Sequence, residues 1–178
     1  HHPGADRPIL PLFWLLSDRR NDARIETALQ SLPTGSGFVF RHYHLDPDTR
    51  RARFDELAAI ARQCGHTVIL SGDDDWGADG HYGSATRPRD GLFLATAHNE
   101  DELAAAVAAG AEGIFLSPVF ATASHPGAKT LGIDAFHALA RQSPVPVIAL
   151  GGMTHERARE LGWSRWGAID GLGSTNVA

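Results

Sequence analysis

The sequence predicts an α/β fold, specifically a short (β/α)8 TIM barrel with reduced helices around strands three and four. Short apolar runs alternate with helical or polar stretches along the chain, and eight of these runs qualify as strands. The strands are almost continuously apolar, which is typical of parallel strands covered by helices. Eight strands favour a closed barrel, although pattern alone leaves an open doubly wound sheet as the alternative. No Gly-x-Gly-x-x-Gly motif follows the first strand, which argues against a dinucleotide-binding sheet.

The first part of the chain predicts three strands and two helices. The nearly unbroken apolar run Pro11–Ser17 predicts the first strand, and Gly37–His42 predicts the second. Between them, Asn21–Leu32 predicts a helix because its apolar residues share one face. The segment Asp46–Cys64 predicts a long helix with aspartate as its N-cap and the following glycine as its stop signal. A third strand is predicted at His66–Ser71.

The middle of the chain is less regular. Residues 72–91 are rich in glycine and aspartate and show no helical period, so the helices on either side of the fourth strand are expected to be missing or reduced. A short fourth strand is predicted near His81–Gly83. The apolar run Leu92–Ala97 predicts the fifth strand, and Asn99 caps a predicted helix over Glu100–Ala109 that ends at a glycine.

Strands and helices alternate regularly again in the last part of the chain. Gly113–Val119 predicts the sixth strand, and Asp134–Gln142 predicts a helix with one apolar face. Pro146–Leu150 predicts the seventh strand and is followed by two glycines. The threonine of Thr154–Leu161 is a suitable N-cap for the next helix, and Trp166–Leu172 predicts the eighth strand.

Composition narrows the class of protein. The 178 residues, 43% of them hydrophobic and 21% charged, predict one globular domain over residues 1–178, in which His1 and His2 are typical of a tag remnant. A net charge of −5 without a basic cluster argues against nucleic-acid binding. The longest apolar run, Leu10–Leu16, is too short to span a membrane. No signal peptide is visible, and Cys64 is the only cysteine, so we expect a cytoplasmic protein without an intrachain disulfide. The sequence is compatible with a homo-oligomer and does not define the oligomeric state.

Functional residues of such a barrel lie at the carboxyl ends of the strands, on the loops that lead into the helices. Charged, hydroxyl-bearing and glycine residues end or follow most of the predicted strands. In chain order, the candidates are Asp18, Arg19, Arg41, Asp73, Thr96, Thr122, Ser124, His125, Lys129, Gly151, Gly152, Asp170 and Gly171.

Glycines follow strands seven and eight at Gly151, Gly152 and Gly171. Without a Cβ, the backbone approaches an anion closely and directs N–H groups at it, and a following helix N-terminus adds a favourable dipole. These glycines therefore favour a phosphate site. The alternative is that Gly151 and Gly152 form only a tight turn.

The loop after strand six carries two hydroxyls (Thr122 and Ser124), an imidazole (His125) and an ammonium group (Lys129). Such groups suit the many acceptor oxygens of a diphosphate, and a solvated loop is the alternative. Asp73 opens a run of three aspartates after strand three, which offers oxygen ligands to Mg²⁺ alongside substrate phosphates. The alternative there is an exposed acidic turn.

A metal site is not expected at His42 and His44. His42 and His44 flank Tyr43 on a predicted extended segment, where a period of two places both histidines on one face. Two ligands are too few for a metal site. The sequence shows no obvious Ser-His-Asp or Cys-His combination.

Two segments resemble the thiamine-phosphate synthase/TenI family: residues 110–132 (GAEGIFLSPVFATASHPGAKTLG) and 146–153 (PVIALGGM). The remainder, from Leu12–Arg19 (LFWLLSDR) onward, fits more loosely in the same order. The resemblance implies a (β/α)8 barrel. Synthases of this family join a pyrimidine-methyl diphosphate to a thiazole phosphate and release pyrophosphate. Such a step needs charge stabilisation of the departing diphosphate rather than a strong protein nucleophile.

The resemblance also assigns roles. Arg41 is similar to the family's diphosphate-binding arginine, Thr96 to its hydroxyl after strand five, Thr122 and Ser124 to its Thr-x-Thr loop, and the two glycines after strand seven to its thiazole-phosphate turn. We expect catalytic roles for Arg41, Thr122, Ser124, His125 and Lys129. We expect substrate or phosphate binding by Asp18, Arg19, Thr96, Gly151, Gly152, Asp170 and Gly171. Asp73 is the expected ligand of an Mg²⁺ cofactor, and small phosphorylated molecules are the expected partners.

Several positions depart from the family pattern. Val39 and Tyr43 stand where the family has a glutamine and a lysine around its arginine. Asp73 matches the first metal-binding aspartate only after a one-residue shift, and the second has no clear counterpart. The lysine after the Thr-x-Thr loop is His125 here, with Lys129 close by.

Two further departures bear on the reaction. Asp170 stands near the expected phosphate, where a carboxylate is repulsive unless it is paired, for instance with Arg19 or Arg41, or points away. The histidine of the TenI tautomerases falls at Pro118, which favours the synthase side of the family. Three hypotheses follow: a divergent Mg²⁺-dependent synthase, a member that binds a phosphorylated or thiazole-like ligand without synthase activity, and a TenI-like thiazole tautomerase.

Overall fold

Eight parallel strands close into a barrel in a computed structural model that describes residues 10–83, 91–123 and 126–170. Each strand pairs in parallel with its sequence neighbour, and the eighth pairs with the first. The closed barrel is confirmed and the open sheet is excluded. The strands are β1 Phe13–Leu16, β2 Gly37–Phe40, β3 Thr67–Ser71, β4 Gly80–Gly83, β5 Leu92–Ala97, β6 Gly113–Leu116, β7 Val147–Ala149 and β8 Trp166–Ala168.

Helices follow most strands, and their N-caps agree with the predictions. The side chains of Asp46, Asn99 and Thr154 each accept a hydrogen bond from a backbone N–H of the first turn that follows. No helix among the described residues combines the length and apolarity needed to cross a membrane. The helices are α1 Ile25–Ser31, α2 Pro47–Gln63, α3 Glu100–Ala108, α4 Gly132–Ala140 and α5 His155–Leu161, with a 3₁₀ segment at Arg19–Arg24.

The first predicted helix, Asn21–Leu32, is wrong in its first turn, which belongs to the 3₁₀ segment. Asn21 is buried there and closes a capping box with Asp18, whose backbone N–H donates to the Asn21 side chain over 2.9 Å. The Asn21 amide also donates to the carbonyl of Leu16 at the end of β1. These contacts hold the chain tightly against the strand end, so α-helical geometry starts only at Ile25.

The barrel has an inner and an outer apolar layer. The inner layer contains Leu10, Trp14, Leu16, Val39, Ile69, Tyr82, Leu94, Phe115 and Ile148. Trp14 is fully buried, its indole N–H donates to the Pro11 carbonyl, and its ring takes the space that a side chain at Gly37 would need. The outer layer joins the opposite faces of the strands to the helices and includes Phe38, Phe54 and Phe136. Burial on both faces explains the continuously apolar strands.

The segment between β3 and β4 replaces a helix with a short loop, as predicted. Trp76 from this loop packs against the outer layer and lies 5.5 Å from the ring of Phe54. The loop is anchored by Asp79, which accepts from the Val68 backbone N–H, and by Arg62, which donates to the Gly77 carbonyl. The barrel therefore closes without a helix at this position. Residues 84–90, where the helix after the fourth strand was also predicted to be missing or reduced, lie outside the described residues.

We expect Trp76→Ala to lower the free energy of unfolding by about 2 kcal/mol, because it removes a half-buried aromatic ring that covers the barrel wall. Urea denaturation followed by circular dichroism measures this change. Asp75→Ala alters an exposed residue of the same loop and should stay within about 0.5 kcal/mol of the parent chain. Equal stability of the two variants would contradict the covering role of Trp76.

Candidate active site

Arg41 lies at the carboxyl end of β2 and is held in place by groups from β1. Its backbone N–H donates to the Ser17 hydroxyl over 2.7 Å, and its Nε donates to the Ser17 carbonyl over 2.9 Å. A terminal nitrogen of its guanidinium lies 3.7 Å from the Asp18 carboxylate, and its positive charge acts on the nearby Tyr82 hydroxyl. With 16% of its side chain exposed, Arg41 presents a pre-organised positive charge at this end of the barrel.

Further polar groups surround Arg41 that were not among the sequence candidates. Arg50 of α2 donates to the carbonyls of Arg41 and Ser71, each over 2.9 Å, and the Tyr43 hydroxyl lies 2.5 Å from the Ser71 hydroxyl. Burial raises the pKa of Tyr82 to about 12, so its hydroxyl stays protonated at neutral pH. Burial also lowers the pKa of Arg50, against smaller opposing effects of Tyr43 and an aspartate. No local sequence pattern around Arg50 points to this role.

The carboxylates at this end of the barrel are paired with arginines. Asp170 lies 3.0 Å from a guanidinium nitrogen of Arg20. The sequence had suggested Arg19 or Arg41 as its partner, and that suggestion is wrong. Arg20 also contacts Asp18 over 3.1 Å. Burial acts to raise the pKa of Asp18, but hydrogen bonds from Arg20 and the charges of Arg41 and Arg20 outweigh it and leave the pKa below 3.8. The pairing removes the repulsion that Asp170 would otherwise exert on an anion.

An open cavity of about 400 Å³ lies beside this cluster, lined by residues of the loops after β1 and β2: Asp18, Arg19, Arg20, Tyr43 and His44. Two of the predicted binding residues, Asp18 and Arg19, therefore share one cavity. Tyr43 is 65% exposed there, so its ring offers an apolar surface beside the two arginines. This combination suits a planar ring that carries an anionic group.

A hydrogen-bonded Ser-His-Asp chain, which the sequence had not suggested, lies behind Arg41. The Ser17 hydroxyl is 2.8 Å from Nδ1 of His42, and Nε2 of His42 is 2.6 Å from the Asp22 carboxylate. Arg53 of α2 donates to the same Asp22 oxygen over 2.9 Å. His42 has φ of +40°, so the predicted extended segment is wrong at this residue, and its ring stacks on Phe40. Such backbone geometry is uncommon outside glycine, although histidine is among the residues enriched in it.

Burial lowers the pKa of His42 below its ordinary value of 6.5, and the opposing hydrogen bond and charge of Asp22 do not cancel this effect. The imidazole is therefore neutral in the folded protein at neutral pH. The pKa of Asp22 is also lowered: burial acts to raise it, and the hydrogen bonds from His42 and Arg53 outweigh that effect.

The lowered pKa of His42 predicts an acid-sensitive fold. Below pH 6.5 the unfolded chain binds a proton at this residue before the folded chain does, so stability falls as the pH drops toward the folded pKa. We expect this histidine to contribute a slope of up to about 1.4 kcal/mol per pH unit. Denaturation of the parent chain and of His42→Asn across pH 7 to 4.5 measures the difference. Equal slopes in the parent chain and in His42→Asn would contradict the assignment.

The glycine turn after β7 packs tightly against the loop after β6. Gly151 and Gly152 have φ of +106° and +65°. A Cβ at Gly151 would lie 2.6 Å from Cα of Pro118, and one at Gly152 would meet the carbonyl of Ala121. Arg157 donates to the Gly152 carbonyl over 2.6 Å. The tight-turn interpretation therefore accounts for both glycines, and phosphate binding by their amides stays a prediction.

The other predicted residues differ in how exposed they are. Thr96 is half-buried at the end of β5, Thr122 is half-buried in the loop after β6, and Lys129 and Asp73 are exposed. The predicted residues outside the described part of the chain are Ser124, His125 and Gly171.

The described residues contain no group of three histidine, cysteine, aspartate or glutamate side chains that could hold a metal ion. Asp74, next to the predicted ligand Asp73, lies 4.0 Å from a guanidinium nitrogen of Arg50. Mg²⁺ bound to a substrate often uses only one or two protein carboxylates. The binding of Mg²⁺ by Asp73 therefore stays a prediction.

The candidate residues fall into two groups on neighbouring strands. Asp18, Arg41 and Asp170 follow β1, β2 and β8, whereas Gly152 and Thr122 follow β7 and β6. In the closed barrel these are five consecutive strands, so both groups lie around the same mouth, with β2 and β6 on opposite sides of it.

Over residues 14–168 the chain matches the thiamine monophosphate synthase family. It is 40% identical to a thiamine-phosphate synthase of Salinibacter ruber over 169 residues, which cover 86% of this chain and 73% of the relative. It is 28% identical to a thiamine-phosphate synthase of Thermosynechococcus vestitus over 156 residues, or 79% of this chain and 44% of the relative. A thiamine phosphate pyrophosphorylase from Pyrococcus furiosus has the same fold, with a TM-score of 0.70 at 20% identity, covering 88% of this chain and 84% of that one.

The chain spans only 34% to 56% of the length of three curated relatives that it matches.

Proposed function

Because the chain belongs to the thiamine monophosphate synthase family, we propose that it joins a hydroxymethylpyrimidine diphosphate to a thiazole phosphate and releases pyrophosphate. The observation that carries this proposal is Arg41, which is fixed at the barrel mouth by Ser17 and flanked by the protonated hydroxyl of Tyr82. Both groups donate hydrogen bonds, and a diphosphate offers many acceptor oxygens.

In the proposed step, the thiazole nitrogen attacks the methylene carbon of the pyrimidine while the bond from that carbon to the diphosphate oxygen breaks. The electron pair of the broken bond leaves with pyrophosphate. Catalysis then depends on stabilising the charge that develops on the leaving group, which is the role we assign to Arg41 and Tyr82. The protein supplies no nucleophile, and fixed donors need no reorganisation during the step.

The cavity beside Arg41 is the proposed place for the pyrimidine. Tyr43 offers a mostly exposed aromatic surface there, and Arg19 supplies a second positive charge. Gly151 and Gly152 follow β7 at the same mouth of the barrel. We propose that their backbone amides bind the thiazole phosphate. When bound, Mg²⁺ would neutralise part of the diphosphate charge, with Asp73 as its carboxylate ligand.

A second candidate is a family member that binds the diphosphate or the thiazole phosphate without turnover. The observation that favours it is Tyr43, which stands where the family has a lysine and bonds to Ser71 instead. The loss of a cation at this position weakens leaving-group stabilisation more than it weakens ligand binding. A thiazole tautomerase is less favoured, because Pro118 occupies the position of the tautomerase histidine.

A turnover assay with both precursors and Mg²⁺, followed by release of pyrophosphate, tests the proposal. We expect turnover that is abolished in Arg41→Ala and reduced by a metal chelator. Saturable binding of the pyrimidine diphosphate without pyrophosphate release would contradict the synthase proposal and favour a binding protein. A thiazole-carboxylate isomerisation assay under the same conditions tests the third hypothesis.

A further inference from the structure

Ser17 connects two residues that are adjacent in the chain but differ in chemistry. Its hydroxyl accepts the backbone N–H of Arg41 and lies 2.8 Å from Nδ1 of His42. Its carbonyl accepts Nε–H of Arg41. Both Ser17 and the His42 side chain are fully enclosed, with no exposed surface. Any shift of Ser17 therefore moves two of the contacts that hold Arg41.

The contacts allow one arrangement of protons. Asp22 is ionised and can only accept, so Nε2 of His42 carries a proton and donates to it. Nδ1 of the neutral ring is then an acceptor, and the Ser17 hydroxyl donates to it. The remaining lone pairs of that hydroxyl receive the N–H of Arg41. The charged or titratable groups that face His42 are Asp22, Arg53 and His44, and all three enter this balance.

We propose that His42 is a positioning residue, which acts through the Ser17 hydroxyl to hold Arg41 in the orientation that binds an anion. Asp22 selects the tautomer of the imidazole, and Arg53 holds Asp22 in place from α2. The inference rests on the proposed function only for the identity of the anion. The same geometry exists in the protein without any ligand.

The Ser-His-Asp order invites comparison with a hydrolytic triad, but the surroundings of Ser17 differ from those of a nucleophile. A catalytic serine needs an accessible oxygen that can approach an electrophile. The Ser17 side chain is enclosed and already accepts the N–H of Arg41. Its hydroxyl therefore helps to orient Arg41 and takes no part in covalent chemistry.

Hydrogen exchange of the Arg41 backbone N–H, which donates to the Ser17 hydroxyl, is followed by NMR in the protein without ligand and tests the positioning role directly. His42→Phe keeps a ring that can stack on Phe40 but offers no acceptor, and we expect exchange to accelerate about tenfold, the factor for one lost hydrogen bond. His42→Asn supplies an acceptor near the place of Nδ1 and tolerates positive φ, so it should restore slow exchange. Ser17→Ala should behave like His42→Phe. Unchanged exchange in Ser17→Ala and His42→Phe, with folding confirmed by circular dichroism, would overturn the proposal. If His42→Phe does not fold, Ser17→Ala decides the matter alone.

Binding of inorganic pyrophosphate, measured by calorimetry across pH 5 to 8, provides the second readout. We expect about tenfold weaker binding in Ser17→Ala and His42→Phe, with affinity restored in His42→Asn. In the parent chain, affinity should fall on acidification more steeply than in Ser17→Ala, because protonated His42 no longer accepts from Ser17. In Ser17→Ala, the change of affinity with pH serves as the control for the protonation of pyrophosphate itself. Identical pH profiles would contradict the inference. If the parent chain does not bind pyrophosphate, the proposed function fails, and the exchange rates still decide whether His42 positions Arg41.

Discussion

Arg41→Ala is expected to weaken the binding of inorganic pyrophosphate by about 10- to 100-fold and to abolish synthase turnover. Arg41 is fixed by Ser17 and only 16% exposed, so its contact with an anion is charge-assisted and partly shielded from water. Hydrogen bonds that involve charged groups contribute about 1.5–3 kcal/mol, which corresponds to this range of affinities. Isothermal calorimetry measures the binding, and pyrophosphate release measures turnover.

Two control variants sharpen this result. Arg41→Lys keeps the charge but loses the Nε–H that donates to the Ser17 carbonyl, so intermediate affinity is expected. Arg51→Ala removes an arginine of α2 whose side chain is 50% exposed and paired with Asp55. Its affinity should equal that of the parent chain. Equal affinity in Arg41→Ala and Arg51→Ala would contradict the placement of the diphosphate at this mouth.

Trp14→Ala is expected to lower the free energy of unfolding by about 4 kcal/mol, the largest change in stability that we predict. Trp14 is fully buried inside the barrel, its indole N–H bonds to Pro11, and its ring meets the edge of Phe115 at 5.5 Å. The surrounding strands close a complete ring, which limits how far they can collapse into the cavity. Chemical denaturation measures the change, and Leu12→Ala, at a residue 48% exposed, should cost less than about 1 kcal/mol.

A double-mutant cycle separates packing from a general loss of apolar surface. A side chain at Gly37 would overlap the Trp14 ring, so Gly37→Ala alone should be strongly destabilising. In the Trp14→Ala background the overlap disappears. We therefore expect the double variant to be more stable than the sum of the two single effects predicts. Additive effects would mean that the two positions do not share this space.

The sequence predicts the barrel well because its strands are buried on both faces and its helices carry clear caps. Strand ends are less predictable. The run Gly37–His42 stays apolar or aromatic up to Arg41, but β2 ends at Phe40, where the backbone of Arg41 turns to the Ser17 hydroxyl. The 3₁₀ start of the first helix depends on Asn21, which contacts Leu16 at the end of β1 and Ile169 just after β8. No local pattern contains such information.

Individual site residues were more predictable than their partners. Arg41 and Asp18 were expected at the mouth because they follow strands, and both lie there. The pairing of Asp170 with Arg20 was missed, since two adjacent arginines differ only in the direction of their side chains. The chain from Ser17 to His42 and Asp22 was missed because its members are 25 and 20 residues apart. Side chains that are distant in sequence meet only after the barrel has closed.

The lack of a side chain at Gly151 and Gly152 has a consequence for redesign. The loop after β6 fills the space beside both glycines. The conformation of each loop therefore depends on the other. A library that randomises only residues 151–153 would force most of its members to rebuild Pro118 to Ala121 as well. Grafting new specificity onto this barrel therefore requires exchanging the two loops together, as one cassette.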